Sequence, residues 1–241
     1  MGEILGILKN AFFQSDVVGR GIVILLGMAS VAAWSIMLYK GGQVMAVRKS
    51  VLDFIHDFEK PGSILSCSYR LDKDAGPLQA ICDAGFEALI EVLDLKGGME
   101  YLARLDELPR ALTTAEIERI HATMIRRLNI QRMQMLDQMV VLSTIVSLSP
   151  FCGLFGTVWG VMMTFVQLAA QQGKKADLGQ LAPGVSGALL TTVVGLMVAI
   201  PSVFGNNMIM SMIDKVCMDM DTFVDDFMTR LRLEKVKAQE E

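Results

Sequence analysis

Three stretches of this chain carry no Asp, Glu, Lys or Arg: Gly21 to Tyr39, Gln138 to Gly173 and Leu178 to Ile213. A helix needs roughly 20 apolar residues to cross the ~30 Å hydrocarbon core of a bilayer. The first stretch just meets that length. The other two run far past it, so at about 1.5 Å per residue they are expected to project beyond the lipid on one side. Helices of a soluble core alternate charged and apolar faces, and these do not. With 52% of 241 residues hydrophobic and a mean hydropathy of +0.44, the chain reads as a membrane protein.

The expected fold is all-α and polytopic, with three transmembrane helices. An amphipathic lead-in occupies residues 1–16 and a first transmembrane helix 17–39. A cytoplasmic helical domain covers 40–137. Two long helices, 138–173 and 178–213, carry the second and third spans and extend into that domain. A cytoplasmic C-terminal helix and tail complete the chain over 214–241. The link "KKAD", 174–177, is short enough to force the long helices into a hairpin. The N-terminus lacks a basic region and a small-residue cleavage site, so it reads as retained rather than as a secretory signal.

Basic residues set the expected orientation. Lys40, Arg48, Lys49, Arg126, Arg127 and Arg132 belong to the middle domain, and Lys215, Arg230 and Arg232 to the tail. The N-terminus offers Lys9 and Arg20. Positive charge therefore favours a cytoplasmic middle domain and tail with the N-terminus outside. Lys174 and Lys175 then fall on the outer side and are outnumbered.

Within the middle domain, "PLQAICDAGFEALIEVLDLKGG" predicts a helix opening at Pro77 and stopping at Gly97 and Gly98. A capping box from Thr113 to Glu116 opens a second helix, which the sequence carries unbroken into the second span. In the tail, Ile213, Val216, Met220, Phe223, Val224, Phe227 and Leu231 recur at helical spacing and are expected to pack on the extended second span. "SYRLDKDAGP" reads as a loop.

Several function classes find no support. A net charge of -4 without a basic, aromatic-interleaved patch argues against nucleic acid. Cys67, Cys82, Cys152 and Cys217 form no C-x-x-C and read as small hydrophobes. His56 and His121 lie far apart with no cysteine cluster nearby, so neither a metal nor a cofactor is expected. No nucleophile–base pair or phosphate loop suggests an enzyme.

The polar residues of the long spans are small. Ser149, Gly153, Gly156, Gly160 and Thr164 recur every three or four residues in one span, and Gly184, Ala188, Thr191, Gly195 and Ala199 in the other. Such stripes let helices approach closely in lipid, where association rests on packing. A lone membrane threonine often bonds only to its own turn. Here Thr157, Thr164, Thr191 and Thr192 are grouped on spans forced together, which leaves open a polar-lined path or shared interhelical hydrogen bonds. Neither long span contains an acid, a base or a histidine, the groups that normally relay protons in membranes. If the chain handles protons, a partner must bring the carboxylate.

"SLSPFCGLFGTVWGVMMTF" followed by "LAPGVSGALLTTVVGLMVAIPSV" resembles the paired signature of the TolQ/ExbB/MotA family of proton-channel subunits, closest to TolQ and ExbB. The span order is similar over the whole chain and the motifs over about 60 residues. The resemblance implies a ring, typically a pentamer, embedded in membrane lipids of the bacterial inner membrane. It also implies a single-span TolR- or ExbD-like partner carrying an aspartate, and work passed to a TolA- or TonB-like protein. By position it makes Thr157 and Thr192 pore-facing. Thr191 stands where the family more commonly has alanine and is expected to add a hydroxyl to the path. From the stripes themselves, Gly153, Gly156, Gly160, Gly184, Gly187 and Gly195 read as helix-packing positions.

Besides the local difference at Thr191, the pattern departs at Gly187. TolQ and ExbB usually carry a glutamate in "APG-x-x-E-A-L", where "APGVSGAL" has Gly187. MotA-like members also lack that acid. Two other readings stay open: an autonomous ion channel, against which no inverted repeat is seen, and a structural scaffold that does not conduct.

Overall fold

The structure, a computed structural model, describes residues 2–60, 63–65, 76–105, 107–170 and 178–236. The helices are α1 (Gly2–Gln14), α2 (Val17–Phe58), α3 (Pro77–Val92), α4 (Gly98–Ala103), α5 (Thr114–Leu136), α6 (Met139–Ala170) and α7 (Leu178–Leu233). An isolated parallel bridge between Leu108 and Val236 is the only extended pairing among the described residues. Three helices, α2, α6 and α7, are long and apolar enough to cross a membrane, where the charge-free stretches placed them. Cys67, the "KKAD" link and nearly all of "SYRLDKDAGP" lie outside the described residues.

Two compact units share these helices: Met1–Gly41 with Gln138–Ile209, and Gly42–Asp137 with Met210–Glu241. The helix boundaries depart from expectation in an instructive way. The first membrane helix does not stop at Tyr39, because α2 runs through Gly41 and Gly42 to Phe58. A helical glycine costs roughly 1 kcal/mol relative to alanine. That is too little to break a helix that buries Ala33 before the pair and Val44, Val51, Phe54 and Phe58 after it. Likewise α7 is one helix from Leu178 to Leu233, not a span followed by a separate tail helix.

The second span behaves in the opposite way. The helix opened at Thr113 was expected to run straight into it, yet α5 ends at Leu136. Asp137 is extended (φ -54°, ψ 141°) and Gln138 is left-handed (φ 67°), so α6 starts afresh at Met139. The helices that continue from the first unit into the second are therefore α2 and α7, and α6 is not one of them. No glycine or proline marks the break, so periodicity could not reveal it.

Local signals explain the remaining ends. Pro77 opens α3, which stops at Val92, short of the glycine pair. Asp94 takes the left-handed position (φ 51°), with Leu95 N–H donating to Ile90 O at 3.1 Å and Asp94 N–H to Glu91 O at 3.3 Å. This is a Schellman ending with aspartate where glycine is usual. The α5 capping box forms as its sequence predicts. Glu116 N–H donates to Thr113 Oγ1 at 3.3 Å, and Thr113 N–H to the Glu116 carboxylate at 2.8 Å. The Arg110 guanidinium grips the same carboxylate at 2.7 and 2.9 Å, and these donors hold its pKa down to about 2.

In the unit containing Gly42–Asp137 and Met210–Glu241 a cluster of phenylalanines sits within a largely aliphatic core. Phe223 and Phe227 of α7 meet Phe54 and Phe58 of α2 and Phe86 of α3, with ring centroids 4.8 to 6.2 Å apart. The tail was expected on the second span; the rings it meets belong to α2 and α3. Arg230 sits 4.6 Å above the Phe58 ring and donates to Phe58 O at 2.7 Å, placing a cation at the carbonyl end of α2. In the other unit, Ile22 and Leu26 of α2 pack with Val198 of α7, and Ile145 and Cys152 of α6 close over them. The prolines do not end their helices. Pro150 stays within α6 and Pro201 within α7, each beside a serine, Ser149 or Ser202, whose hydroxyl donates to its own preceding turn.

Candidate functional site

The two small-residue stripes meet. Running antiparallel, α6 and α7 bring Gly153 opposite Thr192 and Gly195, Gly156 opposite Thr191, Gly160 opposite Ala188, and Thr164 opposite Gly184. A Cβ at Gly153 would lie 2.9 Å from Thr191 O and 3.0 Å from Thr192 Cα, and one at Gly195 would lie 2.7 Å from Ser149 O. Those neighbours are backbone and cannot rotate away. At Gly160 the obstacle is Ala188 Cβ, 2.6 Å away. Gly187 does not face α6. Its Cβ would meet Ser15, 2.7 Å from Oγ and 2.9 Å from Cα, at the turn between α1 and α2.

Close approach gathers three hydroxyls around two carbonyls. Thr191 is fully buried, and its hydroxyl lies 2.7 Å from Ala188 O and 2.9 Å from Gly153 O. Thr192 Oγ1 is 3.1 Å from Gly153 O, and Thr157 Oγ1 is 3.2 Å from Ala188 O and 3.3 Å from Gly153 O. Thr157 and Thr192 also hydrogen-bond to each other, hydroxyl to hydroxyl. Each hydroxyl has one proton to donate and two lone pairs. The geometry thus divides the threonines named from sequence. Thr191 is sealed with its proton committed inside the seam, whereas Thr157 and Thr192 are half-buried and bonded to each other.

Two functional-site neighbours went unread in the sequence. Asp16 precedes α2 and accepts from Gly19 N–H at 2.8 Å through Oδ1, as an N-cap does. Its Oδ2 accepts from Trp159 Nε1–H of α6 at 2.7 Å. A buried indole N–H usually finds an acceptor, and the "SD" before an apolar run is a capping signal, so both signs were present. Asp16, Ser15 and Gln14 line a cavity of about 110 Å³ with Thr164, Gln167 and Ala188. Among the described residues, no group of three or more His, Cys, Asp or Glu side chains is placed to hold a metal ion.

Comparison with known proteins bears on this arrangement. Residues 95–222 match the model of the MotA/TolQ/ExbB proton channel family. The chain is 31% identical to the Tol-Pal system protein TolQ of Pseudomonas aeruginosa, over 89% of this chain and 87% of that protein. It is 27% identical to the TolQ of Haemophilus influenzae, over 92% of each chain. With the biopolymer transport protein ExbB of Pseudomonas putida it shares 32% identity over 82% of this chain and 54% of that protein. With three apolar helices of membrane-spanning length and a family match covering both long spans, this chain is a membrane protein of the MotA/TolQ/ExbB proton channel family.

Proposed function

We propose that the chain is a ring-forming subunit, pentameric in the simplest case, of an inner-membrane motor driven by the proton-motive force. Its N-terminus faces outward, and the Gly42–Asp137 segment and C-terminal end of α7 are cytoplasmic. A single-span TolR- or ExbD-like partner supplies an aspartate, and the work reaches the cell envelope through a TolA- or TonB-like protein. The chain acts as a transport component, not an enzyme.

One observation carries this reading: a half-buried pair of hydroxyls, Thr157 and Thr192, on two helices with no charged side chain through the span. An ionised carboxylate at mid-bilayer is penalised by ~2.5–3.5 kcal/mol on insertion scales, and a neutral carboxyl far less. A hydroxyl pair suits both states of a visiting carboxyl. It donates to the anion and accepts from the acid, while the carbonyls of Gly153 and Ala188 offer the displaced threonine proton an alternative acceptor. The partner's aspartate takes a proton on the outer side, turns past the pair while neutral, and releases it inward, so proton flow is tied to rotation of partner and ring.

A non-conducting scaffold is the second reading, favoured by Gly187, where TolQ and ExbB usually carry an acid. Co-reconstitution in liposomes with an Asp-bearing single-span partner separates the two. Proton uptake that needs the partner supports the motor; none in its presence supports the scaffold.

A further inference from the structure

We propose that Ser15 and Asp16 form a wedge that positions the Thr157–Thr192 pair by holding the outer ends of α6 and α7 together. Adjacent residues of one turn grip one helix each. Asp16 holds α6 through Trp159 Nε1, and Trp159 stands two residues from Thr157. Ser15 presses its backbone on α7 at Gly187, where even one added carbon would sit 2.9 Å from Ser15 Cα.

The turn is itself held. Asp16 Oδ1 caps α2 through Gly19 N–H, the buried Ser15 hydroxyl donates to Ala11 O at 2.9 Å, and Arg20 donates to Phe13 O at 2.6 Å. A carboxylate that accepts one bond from its own helix end and one from a neighbouring helix is a fixed reference point for the latter. The absence of a side chain at Gly187 is then a requirement of the wedge. Because the threonine hydroxyls must stay within bonding reach across two helices, a small rotation of α6 separates them. The part of the test that reads conduction rests on the motor proposal above; the rest does not.

The test uses the full chain with Trp34→Phe, so that Trp159 is the one remaining indole of two, and with the four native cysteines replaced by alanine. Thr157→Cys and Thr192→Cys report the approach of the pair through their rate of disulfide formation. Asp16→Asn and Trp159→Phe are each introduced, Trp159→Phe leaving the cap on Gly19 intact should Asp16→Asn assemble poorly. The expected results are a shifted Trp159 emission in Asp16→Asn and cross-linking slowed about tenfold by either change, as misplacement of a reacting pair produces. The double variant should be no slower than the worse single one, and Asp16→Glu should restore part of the rate. In the threonine-bearing chain, partner-dependent proton flux per assembled ring should fall in step. Unchanged emission in Asp16→Asn overturns the wedge, as does unchanged cross-linking once the emission has shifted. If the unmodified chain passes no protons with a partner, the motor reading fails, and emission and cross-linking still decide the wedge.

Discussion

Thr191 and Thr192 are sequence neighbours with opposite surroundings: the first is sealed in the α6–α7 seam, and the second is half-buried and bonded to Thr157. One step of about 100° around a helix separates a packing hydroxyl from one that a visiting group can reach.

Thr191→Val should therefore weaken the seam without altering conduction per ring. The lost interhelical hydrogen bond amounts to about 1 kcal/mol in a membrane. Thermal unfolding in detergent should shift down by a few degrees, while partner-dependent flux, normalised to assembled rings, stays near its original value. A large loss of flux at unchanged stability would place Thr191 on the path.

Gly153→Ala, Gly195→Ala and Gly160→Ala should each part the α6–α7 seam. At the first two positions the new methyl meets backbone, at 2.9 Å from Thr191 O and 2.7 Å from Ser149 O. At Gly160 it meets Ala188 Cβ at 2.6 Å and Ala188 Cα at 3.2 Å, and an alanine methyl has no rotamer to move to. Overpacking costs typically ~1–3 kcal/mol, and ring yield after purification should fall in all three variants.

Gly187→Glu should lower ring yield and flux together. The first carbon of the new side chain already collides with Ser15 backbone, and a carboxylate within the span adds a desolvation cost. Normal yield with a gain of flux would instead mark Gly187 as a lost functional site.

Much of this was legible in the sequence, for reasons specific to each element. Charge-free stretches mark the three long helices because lipid excludes charge, and the glycine steps of three and four bring the stripes of α6 and α7 together because helical geometry leaves few alternatives. The break at Asp137–Gln138 was not legible, since neither residue type demands a left-handed backbone. The aspartate ending of α3 was missed for the same reason, glycine being the usual occupant. Asp16 was overlooked because it lies outside every charge-free stretch, and only folding carries it to Trp159.

The Arg110–Glu116 pair, in a segment outside the three helices long and apolar enough to cross a membrane, gives a pH signature. Glu116 is depressed from 4.5 to about 2, first by the Arg110 hydrogen bonds and then by Thr113. A depressed carboxylate contributes stability that is present above its unfolded value and lost as pH falls through the folded one. The stability difference between the native chain and Glu116→Gln should hold steady from neutral pH to near 4.5, then close as pH approaches 2. Thermal melts of both forms across that range, followed by helical circular dichroism, provide the check.

Thr192→Val probes the proposed role of the half-buried hydroxyl pair in proton passage, because valine keeps the shape and removes the oxygen. The measurement is proton uptake into liposomes under an imposed gradient, with an Asp-bearing single-span partner present and uptake normalised to assembled rings. The account predicts intact rings and a fall in flux of about tenfold, the equivalent of one lost hydrogen bond of ~1.4 kcal/mol at the barrier. Intact rings with undiminished flux would contradict it.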